Sequence, residues 1–172
     1  MNINIAKNYS YPDFSDMNQE ILEQRFRLSK EEKDFINVRE KHNRLGFAVL
    51  MKAFNYLGYF VTDLNKVPIS IVTHLADQLS LERDTVNRYN KLASVKKYHV
   101  QLIKKYYGIN LFDAECKELL YNWILQQCRI TSDYNNLVKG CIQKIRSEHW
   151  ELPAISYIES LVNDALEATN KE

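Results

Sequence analysis

Chain-breaking residues are scarce: four glycines and three prolines are spread over 172 residues. A turn-rich β fold needs such residues wherever strands reverse, so their scarcity directs this chain towards long helices joined by short connections. No stretch alternates polar and apolar residues strongly for more than a few positions, whereas apolar residues recur at helical spacing along most of the chain. Hydrophobic residues make up 45% and aromatic residues 12%, enough to build a folded interior. The fold expected is all-α, a multi-helix domain that contains a helix-turn-helix-like unit.

Residues 1–15 lack periodicity and read as an extended N-terminal arm. Residues 16–110 form a helical part, and residues 111–172 a helical support packed on the same core. Helical pattern starts near Asp16–Met17 and carries Ile21, Leu22 and Phe26. Ser29 with Glu32 has the spacing of a capping box and opens a helix through about Arg39. The next helix is expected over roughly His42–Leu57, with Leu45, Val49, Ala53 and Tyr56 on one face and Gly58 as its stop. Within it stands Gly46, where a helix interior prefers Ala by about 1 kcal/mol. A glycine kept at such a place commonly admits a close neighbour. Pro68 suits the first turn of a further helix. Helices then follow at about 69–79, 83–91, 94–107, 113–129, 133–147 and 154–168. Trp123, Leu120, Leu137, Ile145, Ile155, Leu161 and Val162 are the core candidates of the last part.

The net charge of +1 conceals a strong local excess. Between Arg83 and Lys105 lie seven cations and one anion, Asp84, which gives +6 there and −5 elsewhere. One basic patch on an otherwise acidic chain is the electrostatic form of a nucleic-acid-binding face; a solvated Lys-rich helix is the alternative. Residues 72–89 also carry the spacing of a helix-turn-helix. Ala76 is the small residue facing the second helix, Leu75, Leu79 and Leu81 surround the turn, and Val86 and Tyr89 complete the apolar set. Ser80 occupies the turn position where glycine commonly takes a left-handed conformation. The competing arrangement is an ordinary antiparallel helix pair.

On the helix-turn-helix reading, the second helix presents Arg83, Thr85, Asn87, Arg88 and Lys91. Arg can read guanine and Asn adenine, while Thr and Lys suit phosphates or the thymine methyl. Asp84 is assigned to the helix N-terminus. In the following helix, Val95, Tyr98, Leu102 and Tyr106, with His99 beside them, form the expected buried stripe. Lys96, Lys97, Gln101, Lys104 and Lys105 occupy the other half, with the Lys residues as phosphate donors. Arg39, Lys41, His42, Asn43 and Arg44 form a second donor cluster ahead of the apolar helix. Arg44 is open to two roles, a DNA contact or a structural ion pair.

Other function classes find little support. Cys116, Cys128 and Cys141 are odd in number and make no C-x-x-C pair, so neither a disulfide framework nor a zinc ribbon is expected. No metal, cofactor or small-molecule substrate is expected. The acids Glu31, Glu32, Asp77, Glu115, Glu118 and Glu159 are dispersed, and no phosphate-cradling loop or G-x-S-x-G is present. Without a signal peptide or an apolar run of 18 residues, a soluble cytoplasmic location with no membrane partner is expected.

The run HNRLGFAVLMKAFNYLGYF, His42 to Phe60, resembles the N-terminal signature of the Tn three family of replicative, cointegrate-forming transposases. That signature reads N-R-L-G-F-A-V, then a helix, then an aromatic after a glycine. IVTHLADQLSL, Ile71 to Leu81, and EHWELPAISYIESLVNDALEA, Glu148 to Ala168, resemble two further family blocks. The three fall in family order and span roughly residues 20–170. His99, Lys104 and Gly108 fit the family around the basic helix, while Ser94, Val95 and Val100 stand where Arg or Thr is frequent. The resemblance implies an N-terminal domain that binds double-stranded DNA at transposon terminal inverted repeats in the bacterial nucleoid. It also implies the remainder of a transposase as partner, with the catalytic carboxylates far downstream and none in this chain. Two other roles stay open: a helical protein–protein interaction module, or a truncated stand-alone repressor of transposition.

Overall fold

The computed structural model describes residues 7–171, and the first six residues of the expected N-terminal arm lie outside them. The described chain is all-α. It falls into two compact units, one of Asp13–Tyr107 and one that joins the residues up to Pro12 to those from Gly108 onward.

The Asp13–Tyr107 unit holds six α-helices. They are α1 (Gln19–Arg25), α2 (Lys30–Asn37), α3 (Arg44–Leu57), α4 (Ile69–Leu79), α5 (Thr85–Asn90) and α6 (Ala93–Tyr107). Local chemistry sets most of their ends. Asn18 accepts from the Ile21 N–H ahead of α1, and Ser29 and Glu32 close a reciprocal capping box ahead of α2. Gly58 ends α3 in the left-handed region, with φ 87°.

The apolar helix expected from His42 begins at Arg44, because residues 41–43 form a 3-10 turn. Its burial also exceeds the single face expected: every residue from Leu45 to Phe54 is buried, Lys52 included. A helix apolar on nearly all sides belongs at the centre of its unit, and α3 is packed by α2, α4, α5 and α6. Lys52 is accommodated by an ion pair to Glu32 at 2.8 Å, the same carboxylate that caps α2. Gln78 of α4 accepts from the Leu28 N–H and donates to the Phe26 carbonyl, so it ties the α1–α2 connection to α4.

In the other unit, α7 (Ala114–Cys128), α8 (Tyr134–Ser147) and α9 (Ile155–Asn170) pack on one another. Asp113 and Asp133 cap α7 and α8. Of the expected core, Leu120, Leu137, Ile145 and Val162 are buried, whereas Trp123, Ile155 and Leu161 are partly exposed. Ile124, Val138, Cys141, Ile158 and Ala165 fill the centre instead. Burial pushes the Cys141 thiol up to about 12, so it stays protonated near neutral pH. Residues before Pro12 are fastened to this unit: Lys7 pairs with Glu159 at 2.8 Å, Tyr9 donates to the same carboxylate, and Tyr11 donates to the Pro153 carbonyl at 2.8 Å.

Candidate nucleic-acid interface

The candidate interface belongs to the Asp13–Tyr107 unit and is built on a buried junction. Tyr89 of α5 is fully buried, and its hydroxyl lies 2.7 Å from His99 Nδ1 on α6. Burial and the nearby Arg39 charge push His99 down to about 4, and burial raises the Tyr89 phenol. Near neutral pH the phenol therefore keeps its proton and donates it to an uncharged imidazole. Phe47 of α3 stands edge-on to His99, with ring centres 4.9 Å apart. Gly46 makes room for the ring of Tyr89: a Cβ there would lie 2.1 Å from Tyr89 Cγ and Cδ1. The close neighbour admitted by this glycine is thus an aromatic ring. Residues 46–47 of the sequence motif lock α3, α5 and α6 together.

The turn between α4 and α5 uses Ser80 in the left-handed region, φ 55° and ψ 47°, where its N–H caps α4. The second helix of the expected pair is shorter than the 83–91 span, because residues 82–84 form turns and α5 starts at Thr85. Thr85 Oγ1 donates to the Glu82 carbonyl at 2.8 Å and is occupied by that turn. Asp84 takes the N-cap position of α5, the helix N-terminus expected for it, and makes no side-chain capping bond there. Arg83 donates to Thr73 Oγ1 at 3.3 Å from an exposed position. Asn87, Arg88 and Lys91 are exposed.

The buried stripe of α6 departs from expectation. His99 and Ile103 are its buried residues, and Tyr98 is 61% exposed. On a helix of 100° per residue this turns the buried face by about 75° from the Val95–Tyr98–Leu102–Tyr106 stripe. The Tyr89–His99 bond and the lysines explain the rotation. Lys96 is drawn inward, with Nζ 3.1 Å from the Thr62 carbonyl and 3.3 Å from Asn90 Oδ1. Asn90 also accepts from the Leu64 N–H and donates to Asp63, whose carboxyl is held below its usual range chiefly by that bond. Lys104 lies over the Phe60 ring at 5.9 Å. Lys97 and Lys105 remain exposed. Among the described residues no ion pair engages Arg88, Lys91, Lys97 or Lys105, which leaves an open basic ridge along α5 and α6.

In the second donor cluster, Lys41 and His42 are exposed, and His42 lies 3.1 Å from the Glu40 carboxylate. Arg44 is half-buried and donates through Nε to the Arg39 carbonyl at 3.0 Å, a bond to backbone in place of the ion pair considered for it. The Arg39 guanidinium lies 5.3 Å from the ring centres of both Phe35 and Phe47. Asn43 is buried. Between the end of α2 and the start of α6 opens a cleft of about 440 Å³ lined by Val38, Arg39, Glu40, Asn43, Ser94, Val95, Tyr98 and His99. Two of its apolar walls, Val38 and Tyr98, had no signal in the sequence, because exposure of an apolar residue is decided by packing.

Residues 4–165 match the family described as "Domain of unknown function (DUF4158)". The chain is 26% identical over 153 residues to a transposase for transposon Tn1546 from Enterococcus faecium, covering 88% of this chain and 16% of that protein. It is 37% identical over 103 residues to a transposase for transposon gamma-delta from Escherichia coli (strain K12), covering 56% of this chain and 10% of the relative. A transposase for transposon Tn501 from Pseudomonas aeruginosa is 26% identical over 135 residues, 75% of this chain and 13% of its own. The chain therefore spans less than a fifth of the length of these relatives. It belongs to the DUF4158 family and is related to transposases of the Tn three family.

Proposed function

We propose that the Asp13–Tyr107 unit binds double-stranded DNA at transposon terminal inverted repeats, as the N-terminal part of a transposase working on bacterial DNA in the cytoplasm. The open basic ridge of α5 and α6 carries this reading. Arg88, Lys91, Lys97 and Lys105 are exposed cations without ionic partners on α5, its C-terminal end and α6, and Asn87 of α5 adds an exposed side chain able to read a base edge. In this arrangement α4 and α5 act as a helix-turn-helix, with Asn87 and Arg88 facing bases in a major groove. Lys91, Lys97 and Lys105 hold phosphates, and Arg83, Lys41 and His42 add contacts at the margins. Thr85, Lys96, Lys104 and Arg44 serve chiefly to hold the unit's shape.

The chemistry of strand transfer is assigned outside these residues, in keeping with the much greater length of the relatives. The other unit is assigned a supporting role. Docking against another part of a transposase is a second reading for that unit, favoured by Leu119 and Ile130, which are 54% and 79% exposed.

The test is fluorescence anisotropy with two duplexes of equal length, one carrying the terminal repeat of the element and one its scrambled sequence. Tighter binding to the repeat by at least a hundredfold at fixed salt is expected, since specific sites typically exceed non-specific ones by about 10³ or more. Equal affinities for the two duplexes would remove the proposal.

A further inference from the structure

We propose that two copies of this chain pair through the exposed stripe of α7, packed antiparallel about a two-fold axis. The inference concerns the unit that holds α7, α8 and α9, and it does not depend on the DNA-binding reading.

Helical spacing makes the stripe. Leu119, Trp123, Gln126 and Ile130 fall within about 60° of one another at 100° per residue. Arg129 and Ile130 lie just past the last residue of α7 but carry its spiral on, with N–H bonds to the Gln126 and Gln127 carbonyls at 3.2 and 2.9 Å. Leu119 and Ile130 expose 54% and 79% of their surfaces. The buried residues Leu120 and Ile124 stand roughly 110° further around the helix, so the stripe is not the edge of the core. Trp123 is partly exposed, and its ring rests against α8 because position 140 is glycine: a Cβ there would lie 3.3 Å from Trp123 Cη2. Glycine weakens a helix interior, yet here it lets the indole lie low and leaves the stripe shallow enough for another helix. Lys144 Nζ lies 6.0 Å from the indole centre and 2.7 Å from the Glu148 carboxylate, so its charge is met within α8.

The order of charge beside the stripe selects the occupant. Glu118 near its start and Arg129 at its end are both exposed, and they share one flank, about 20° apart on the helical wheel. Let a second α7 lie antiparallel, centred between residues 124 and 125. Leu119 of each copy then meets Ile130 of the other, and Trp123 meets Gln126. In the same register Glu118 of each copy falls within about 3 Å, along the axis, of Arg129 of the other. A two-fold axis perpendicular to both helices keeps these two residues on the same side, so the match is made twice. A parallel pair would instead set Glu118 against Glu118 and Arg129 against Arg129. A second copy meets this pattern by symmetry, whereas a segment of another sequence has no reason to share it. The stripe is only about 16 Å long, so the dimer is reversible, with a dissociation constant on the order of 10–100 µM. The ion pairs, being exposed, set orientation more than strength.

The experiment is sedimentation equilibrium of the full chain without DNA, from a few micromolar to several hundred. The apparent mass should rise from that of the 20.3 kDa monomer towards twice that value. Leu119→Asp and Ile130→Asp should each weaken association by tenfold or more and leave the unfolding midpoint unchanged, since both side chains are exposed. Glu118→Arg alone and Arg129→Glu alone each create like-charge pairs and should weaken it by roughly fivefold. An equimolar mixture of those two variants pairs opposite charges at both ends, and it should associate as the unmodified chain does. A monomer at every concentration overturns the proposal. A dimer indifferent to Leu119→Asp and Ile130→Asp places the contact elsewhere and overturns it as well. A mixture that associates no better than either charge variant alone overturns the antiparallel register.

Discussion

Gly46→Ala sets two effects of opposite sign against each other. Replacing a glycine in a helix interior by alanine stabilises an unconstrained helix by about 1 kcal/mol. Here the new Cβ would stand 2.1 Å from Tyr89 Cγ and Cδ1 and 2.7 Å from its Cβ. Carbon atoms rest about 3.5–4.0 Å apart, so the ring would have to retreat by about 1.4 Å or more. It has little freedom to do so, being fully buried and bonded at its far end to His99. Overpacking of this kind costs about 1–3 kcal/mol and more where the neighbour cannot move. Against the propensity gain, the net expectation is a loss of at least ~2 kcal/mol. Urea unfolding followed by circular dichroism measures it. Pairing the change with Tyr89→Ala should give a combined loss smaller than the sum of the two single losses, by at least ~1 kcal/mol, because the clash disappears with the ring. If Gly46→Ala stabilises the protein by about the helix-propensity difference, the proposed role of this glycine is wrong.

Three further outcomes follow from the same geometry. Lys97→Ala with Lys105→Ala should flatten the log–log dependence of DNA affinity on salt by up to ~2, at roughly 0.9 per lost phosphate contact; Lys96→Met should leave that slope alone and lower the unfolding free energy by ~1 kcal/mol, since its ammonium binds Thr62 and Asn90. His99 is harder to protonate folded than unfolded, so its contribution is complete above its ordinary pKa of about 6.5 and is lost as pH falls from there towards about 4. Chemical unfolding at pH 5 should show a loss of roughly 2 kcal/mol relative to pH 7.5 from this residue, and His99→Gln, which keeps an acceptor for Tyr89 but does not titrate, should remove that part of the pH dependence. Glu32→Gln leaves the Lys52 ammonium buried without a charged partner and should cost about 3–5 kcal/mol in the same assay, whereas a cost below 1 kcal/mol would mean the pair is solvated.

The parts of this molecule that were readable from sequence are those decided within a few residues. The Ser29–Glu32 box and the Asp113 cap depend on side chains three positions from the backbone they serve, and the Gly58 stop on a residue that enters the left-handed region without a Cβ. The face of α6 was misplaced because a wheel treats each tyrosine as apolar, and Tyr98 lies outward while His99 lies inward. Contacts ten residues away, between Tyr89 and His99, and 34 residues away, between Lys96 and Thr62, turn that helix. The same distinction runs through the candidate site. Its basic character was legible in the count of cations from Arg83 to Lys105. Which of those cations are engaged inside the unit was not, because Asn90, Phe60 and Thr73 meet them only in the folded chain.

The central claim, that α5 reads bases while α6 holds the backbone, is tested most directly by one ratio. It is the affinity for the terminal repeat divided by that for scrambled duplex, measured by competition at fixed salt for the unmodified chain and for Asn87→Ala/Arg88→Ala. Base-reading contacts are worth roughly 1–3 kcal/mol each. The account predicts that the double variant loses at least tenfold of the ratio, with affinity for scrambled duplex falling far less than affinity for the repeat. Equal losses on both duplexes would contradict it and make this helix a backbone contact without a role in choosing sequence.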